Sequence, residues 1–262
     1  MTSPVTVSER DLRTLLGIVG DHRSDLPPAG LPWSLLAELK DQIPCDALEF
    51  FGQDADHQVE WFNQGIPAGS YDDGSDFQFQ LYWEIYWDSI ACAYPDRTGD
   101  VRSITKPLDF YSARQWHSTA MYSEFFRPAG IEHEMMLCLP AGPMRTVRLL
   151  FFRGVGPDFS ERDRALLMLL RPHLQQGYRD AERRRSSTFP LTPRHWEVLH
   201  LVAAGHTNAQ IARRLDVTEK TVGKHLENIY ARLQVSSRTA AITRAFPDGA
   251  ARTAPVLQAR AN

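Results

Sequence analysis

The stretch that decides the fold of the C-terminal part of this 262-residue chain is Leu191–Ile242, LTPRHWEVLHLVAAGHTNAQIARRLDVTEKTVGKHLENIYARLQVSSRTAAI. Short apolar-periodic segments within it each follow a hydroxyl residue, as helices that begin at an N-cap do. Gly205 ends the first segment, and a tight turn at Asp216 ends the second. The stretch therefore predicts four short helices, which begin near Thr192, Thr207, Thr218 and Ser237.

The third of these helices has one apolar stripe and one polar face. Val222, Leu226, Ile229 and Leu233 recur at i, i+4, i+7 and i+11, which places them on one side. The opposite side is polar in its N-terminal half. Such a helix suits the major groove of DNA, which is wide enough to admit it. The polar side consists of Lys220, Gly223, Lys224, Glu227 and Asn228.

This segment resembles the C-terminal helix-turn-helix of LuxR/NarL/FixJ-type transcriptional regulators over about 50 residues, with the order and spacing of the whole motif. The resemblance implies sequence-specific binding of double-stranded DNA, usually as a homodimer. The segment departs from the family pattern at four positions: His195 and Gln210 replace Glu, Gln234 replaces Gly, and Gly223 stands where Lys or Arg is frequent. The matching residues are Leu191-Thr192-Pro193-Arg194, Glu197-Val198-Leu199, Gly205, Asn208, Ile211-Ala212, Leu215, Lys220-Thr221-Val222, His225, Asn228-Ile229, Leu233 and Arg238.

Roles in DNA binding follow from position on the third helix. Lys224 is expected to contact a guanine edge, and Glu227 either accepts from a cytosine amino group or only repels phosphate. Gly223 either lets the backbone approach the bases or weakens one contact. His195, without the usual Glu, is expected to leave the first helix without a capping-box partner. The candidates for phosphate contact are Thr207, Asn208, Arg213, Lys220, Thr221 and Arg238, although each also fits an ordinary solvated helix face.

Charge is distributed unevenly along the chain. Residues 186–246 hold eight Lys and Arg against four Asp and Glu, a net charge of +4. Residues 1–185 hold 19 against 27, a net charge of −8. Only the C-terminal part is therefore electrostatically suited to DNA, and its modest charge predicts useful affinity from a dimer, which doubles the phosphate contacts.

Several functional classes lack support in the sequence. The three cysteines are far apart and odd in number, which predicts neither a disulfide framework nor a metal site and is consistent with the cytoplasm. No apolar run is long enough to span a membrane, and residues 1–16 do not resemble a secretory signal. Neither a phosphate loop, a dinucleotide-binding fingerprint nor a nucleophile elbow is present, so we expect no enzyme and no cofactor.

The remaining chain alternates helical and strand periodicity. Residues 77–93 fit both, but their length favours a helix. Residues 160–185 predict a long helix that Ser160 caps, that Pro172 bends and that ends in a charged linker over 182–187. The first helix is expected to bury Leu12, Leu15, Leu16 and Val19. Helices are predicted at 5–20, 33–42, 77–93, 109–126 and 160–185, and strands at 47–51, 58–62, 134–139 and 146–153.

This order predicts an α+β fold of the GAF/PAS kind, with an antiparallel sheet that carries helices on one face. Residues 110–174 also resemble, more weakly, the GAF-like sensory segment of many actinobacterial LuxR-type regulators, through FRPAGIEHE, LLFFRGVGPDFSERDRALL and LRPHL. The predicted domains are a sensory and dimerisation domain at 1–185, an all-α DNA-binding domain of four helices at 186–250, and a flexible tail at 251–262.

An aromatic set in the N-terminal part has two interpretations. It could line a pocket for a small-molecule effector, but aromatic residues at helical spacing more often form a packed core. His117, His133 and Cys138 form no spaced cluster, so no metal is predicted. The set consists of Tyr82, Trp83, Tyr86, Trp87, Trp116 and Tyr122.

We interpret the chain as a cytoplasmic transcriptional regulator whose exit helix couples a sensory domain to DNA binding. One alternative is a sigma-factor-like module that acts through RNA polymerase, although no basic aromatic region suited to melting promoter DNA precedes it. The others are an enzyme fused to a DNA-binding domain and a structural dimer without a ligand.

Overall fold

An antiparallel sheet of six strands organises the N-terminal part of the protein. The computed structural model describes residues 7–20, 25, 30–67, 76–142, 145–188, 191–203, 205–246 and 252–253. The strands are β1 Ala47–Asp54, β2 Val59–Ile66, β3 Ile104–Thr105, β4 His133–Gly142, β5 Arg145–Arg153 and β6 Arg252–Thr253. Their order is β3-β4-β5-β1-β2-β6, and both predicted hairpins, β1-β2 and β4-β5, are confirmed.

The central strands bury apolar residues on both faces. Phe50 pairs with Leu149, and Leu149 pairs with Leu137, so these three side chains share one face of the sheet. The adjacent Phe51 and Leu150 face the opposite side and are also buried. Because successive side chains of a strand point to opposite faces, the sheet must be covered on both sides.

Helices cover both faces, so the prediction of helices on one face is wrong, whereas the α+β class and the antiparallel sheet are confirmed. The first face packs against α1 Glu9–Gly20, α2 Trp33–Gln42 and α6 Glu161–Thr188. The second face packs against α3 Asp76–Tyr86, α4 Ile90–Thr98, α5 Ala113–His117 and a π-helix, Met121–Phe126. A short 3₁₀ turn, Pro107–Asp109, precedes α5.

Two predicted helices are interrupted. The helix predicted at 77–93 divides after Tyr86, because Ser89 caps a new helix by accepting a hydrogen bond from the Cys92 amide. The single helix predicted at 109–126 is wrong, because Ser112 begins α5 with its own capping box and a separate π-helix follows. Local side-chain to backbone hydrogen bonds thus override the apolar periodicity.

The first helix presents a different side to the core from the one predicted. Ser8 and Asp11 form its capping box, and Leu15 is buried as expected. Leu12 and Leu16 are 47% and 71% exposed, and Ile18 is buried instead. The amide of Ser8 and the Arg162 guanidinium both donate to Asp11, which fixes the helix on α6 in this rotation. Residues 5 and 6 lie outside the described residues.

The exit helix α6 extends further than predicted. Ser160 and Asp163 form the predicted capping box. The helix continues through Pro172 to Thr188, so the linker predicted at 182–187 is helical instead. None of the helices within the described residues is long and apolar enough to cross a membrane.

Four helices form the C-terminal part, as predicted: α7 Pro193–Ala203, α8 Asn208–Arg214, α9 Glu219–Leu233 and α10 Arg238–Ala245. Thr192 donates its amide to His195 Nδ1 over 3.3 Å, and the His195 amide donates to Thr192 Oγ1 over 3.2 Å. The predicted loss of a capping-box partner is therefore wrong, since the imidazole replaces the usual carboxylate. Arg252 and Thr253 of the predicted tail pair with β2, and the rest of the tail lies outside the described residues.

Candidate functional site

The helix pair α8-α9 is held in position by caps. Thr207 Oγ1 accepts from the Gln210 amide, and Gln210 Oε1 accepts from the Thr207 amide over 2.7 Å, so glutamine preserves the capping box. Thr218 Oγ1 accepts from the Thr221 amide over 3.1 Å at the start of α9. Both hydroxyl caps are exposed, so the positive end of each helix dipole is open to solvent.

The apolar stripe and polar face predicted for α9 are confirmed. Val222 and Ile229 are fully buried, and Leu226 and Leu233 are buried beside them. Lys224 Nζ lies 3.0 Å from Glu227 Oε2, and these side chains are 70% and 69% exposed. An exposed ion pair of this kind is worth less than about 1 kcal/mol, so either partner is free to exchange it for a DNA group. Exposed residues on this face include Lys220, Thr221, Lys224 and Glu227.

The residues predicted to contact phosphate fall into two groups. Thr207, Arg213, Lys220 and Thr221 are exposed. Arg238 is half-buried, donates to Asn208 Oδ1 over 3.3 Å and also donates to the His206 carbonyl. Asn208 and Arg238 therefore join α10 to the start of α8, a structural role that the sequence did not indicate.

Gly223 lies on the same face of α9 and has open space around it. A Cβ added there would meet nothing within 4 Å among the described residues. His225, predicted as a packing residue, is half-buried, and its ring centroid lies 5.7 Å from that of His195. Gly223 is thus not required by packing in the free protein.

The C-terminal helices dock on the β1-β2 end of the sheet. Arg214 of α8 donates to the His57 carbonyl in the hairpin turn, and Val59 is buried with the α7 core. Arg145 Nη1 lies 3.7 Å from Glu197 Oε1. The guanidinium of Arg185 in α6 lies 3.5 Å from the Trp196 ring centroid. The two parts thus share a small interface that leaves the polar face of α9 exposed.

A cavity that opens to solvent lies between the second face of the sheet and α3. Of the six predicted pocket residues, Tyr82 and Trp83 line it. Tyr86, Trp116 and Tyr122 are buried in the surrounding core, and Trp87 packs on its edge. Tyr82 and Trp83 thus lie where a ligand pocket would place them, whereas the other four residues belong to the packed core, and an effector pocket stays a prediction. Further walls come from Phe79, Phe125, Phe126, Ile131, Met136 and Phe152.

Charged residues of the strands also line this cavity. Burial raises the pKa of Glu49 and of Glu134 to about 7 each. Arg148 is buried, and its Nη2 lies 2.8 Å from Asp96 Oδ2 and donates to Tyr86 Oη over 2.6 Å. Sequence reasoning missed these residues. Their signal was a charged residue at an inward position of an alternating strand, as in ALEFF and EMMLC.

Comparison with known proteins identifies the C-terminal segment. Residues 189–245 match the family of bacterial regulatory proteins called the luxR family. The HTH-type transcriptional regulators MalT of Vibrio campbellii and of Yersinia pestis are each 45% identical over 58 residues. These residues are 22% of this chain, and the chain spans only 6% of the length of these curated relatives.

Solved structures are similar at lower identity. The LBD domain of VqsR from Pseudomonas aeruginosa is 17% identical with a TM-score of 0.46, over 66% of this chain and 95% of that one. SdiA of Escherichia coli is 16% identical with a TM-score of 0.40, over 89% and 95% of the two chains. On the family match and on the capped α8-α9 pair, residues 189–245 form a LuxR-family helix-turn-helix domain.

Proposed function

We propose that this chain is a sequence-specific, DNA-binding transcriptional regulator. The observation that carries the proposal is the exposed polar face of α9 over a fully buried apolar stripe. In the major groove, Lys224 donates to a guanine edge, and Glu227 accepts from a cytosine amino group. Gly223 lets the backbone approach the bases closely.

Phosphate contacts position this helix and supply most of the sequence-independent affinity. Thr207 and Thr221 at two helix N-termini bind phosphate oxygens, with Arg213 and Lys220 beside them. Asn208 and Arg238 also bind phosphate oxygens once the hydrogen bond between these two side chains is broken. A net charge of +4 over residues 186–246 is modest, so the protein binds inverted half-sites as a homodimer.

The N-terminal part controls this activity through the cavity. A small-molecule effector between the sheet and α3 biases the packing of the N-terminal domain, and α6 carries the change to α7. The contact of Arg185 with Trp196 supports this route, because it joins the last turns of α6 to the DNA-binding domain. The effector acts by differential binding to two arrangements of the domains.

The test is selection of genomic DNA fragments by the full-length protein, with Lys224→Ala and Glu227→Ala beside the wild type. We expect inverted half-sites, and each variant should lose discrimination at one base position by about 1–3 kcal/mol. Lys220→Ala should instead weaken binding uniformly and reduce its salt dependence. Arg10→Ala, an exposed cation on α1, serves as the matched control and should change neither.

Sequence-blind, salt-sensitive binding by the wild type would contradict the proposal. Co-purification with core RNA polymerase, together with such binding, would favour the sigma-factor-like alternative. Turnover of a metabolite by the protein would favour a fused enzyme.

A further inference from the structure

The cavity between the sheet and α3 has an excess of acidic residues in its lining, because the one cation among its described lining residues is neutralised by an ion pair. Its charged lining consists of Glu49, Glu60, Glu134 and Arg148. The charge of Arg148 is offset by Asp96, whose carboxylate lies 2.8 Å away, and both side chains are almost fully buried. The remaining lining charge is negative, which disfavours an anionic ligand.

Two of these carboxyls lack a partner among the described residues. Glu134 is only 5% exposed. Within the described residues, neither Glu134 nor Glu49 makes a side-chain hydrogen bond or an ion pair. The pKa of each is raised to about 7, mainly by burial, and the charge of Glu49 contributes to the rise at Glu134. Arg148 opposes this effect on Glu134 without pairing with it. A buried, unpaired carboxyl is costly in free energy, so a ligand that pairs with it gains affinity.

The walls around these carboxyls are aromatic. Phe79, Tyr82, Trp83, Phe125 and Phe152 line the same space. Rings of this kind accommodate an apolar body and attract a cation over their faces. The Trp83 Nε1 atom is also buried without a hydrogen-bond partner among the described residues.

We propose that this cavity binds a small amine with an apolar, aromatic body, whose ammonium group lies between Glu49 and Glu134. This assignment rests on the proposed function, in which the cavity holds the effector, and it specifies the chemical class of that effector. The ammonium group satisfies the two carboxyls, and the aromatic walls bury the body of the ligand. A neutral alcohol of the same shape leaves both carboxyls without a counter-charge, and a carboxylate adds a third negative charge.

The experiment is calorimetric titration of the full-length protein, without DNA, with 2-phenylethylamine, 2-phenylethanol and 3-phenylpropionate at about pH 8, where both carboxyls with raised pKa are mostly ionised. Tryptamine serves as a larger amine. We expect at least one amine to bind about tenfold or more tightly than the alcohol, and the carboxylate to bind least.

Glu49→Gln and Glu134→Gln should each reduce amine affinity about tenfold or more while the protein stays folded, because each replaces a carboxylate of the cavity wall by a neutral group of similar shape. Glu84→Gln, at an exposed glutamate of α3, is the matched control and should leave amine affinity unchanged. Thermal melting of each variant checks folding.

Three results would overturn the assignment: no binding of either amine, equal or tighter binding of the alcohol or carboxylate, or unchanged amine affinity in both Gln variants. The DNA selection on the same protein separates the two proposals. Specific DNA binding with no amine binding removes only the ligand class, whereas amine binding with sequence-blind DNA binding removes only the regulator.

Discussion

Two ion pairs in this protein have the same chemistry and opposite surroundings. Lys224 and Glu227 lie 3.0 Å apart on α9 with side chains 70% and 69% exposed. Arg148 and Asp96 lie 2.8 Å apart beside the cavity with side chains 2% and 1% exposed. Water screens the first pair and stabilises each partner when it is alone, whereas the second pair has only its protein neighbours. The exposed pair is thus available for binding, and the buried pair is part of the structure.

The buried pair also belongs to a network that the exposed pair lacks. Arg148 Nη1 donates to the Cys92 carbonyl over 2.8 Å, and its Nε donates to Thr146 Oγ1 over 3.1 Å. The bond to Cys92 and the ion pair with Asp96 join β5 to α4 across the second face of the sheet, and the bond to Thr146 fixes the guanidinium within β5. Loss of one partner would therefore leave several polar groups buried without compensation.

The largest effect is expected from Asp96→Ala. This change leaves the Arg148 charge buried without its carboxylate, so the free energy of unfolding should fall by about 3–5 kcal/mol. Urea denaturation of the full-length protein measures it. Glu227→Ala is the matched control in the exposed pair and should cost less than about 1 kcal/mol. Equal losses in the two variants would show that burial does not distinguish the pairs.

A second prediction concerns pH and Glu134→Gln. Burial raises the folded-state pKa of Glu134 to about 7, so the folded protein favours the protonated carboxyl. The contribution of this protonated carboxyl to the free energy of unfolding is full below the unfolded-state pKa and is lost as pH rises through about 7. The variant lacks this carboxyl, so its stability relative to wild type should increase between about pH 5 and pH 8, by up to about 3 kcal/mol. Melting temperatures across this range test it, and a constant difference would mean that Glu134 is not desolvated.

The smallest effect is expected at the end of α9. Gln234 occupies the left-handed conformation, with φ of 54° and ψ of 48°, which costs a non-glycine residue about 1 kcal/mol. Gln234→Gly should therefore raise the free energy of unfolding by about 1 kcal/mol. Gly205→Ala, at a φ of +84° with nothing within 4 Å of the added Cβ, should lower it by a similar amount. Chemical denaturation measures both, and the same sign for both changes would contradict this account.

The C-terminal helices were predictable because their signals are local. Thr207 and Thr218 each bond to an amide three residues away, and the stripe from Val222 to Leu233 repeats within one helix. Gln210 kept its cap, and His195 formed one that the sequence did not predict. Contacts over three or four residues depend little on the rest of the chain.

The N-terminal part was less predictable because its helices are shaped by distant contacts. Leu12 and Leu16 fit an apolar face, yet the bond from Arg162 to Asp11 turns α1 so that Ile18 is buried instead. Residues 109–126 carry enough aromatic residues for one helix, but they pack on the sheet as separate turns. Periodicity identifies an apolar face and does not specify which neighbour covers it.

The sequence by itself determined the caps, the stripe and the polar face of α9, and hence the helix-turn-helix, because these depend on residues within one or two helical turns. Only the tertiary structure decided that helices cover both faces of the sheet and that Glu49, Glu134 and Arg148 meet at one cavity. These residues come from three strands, and the strand pairing that brings them together is set by side-chain packing across the whole sheet.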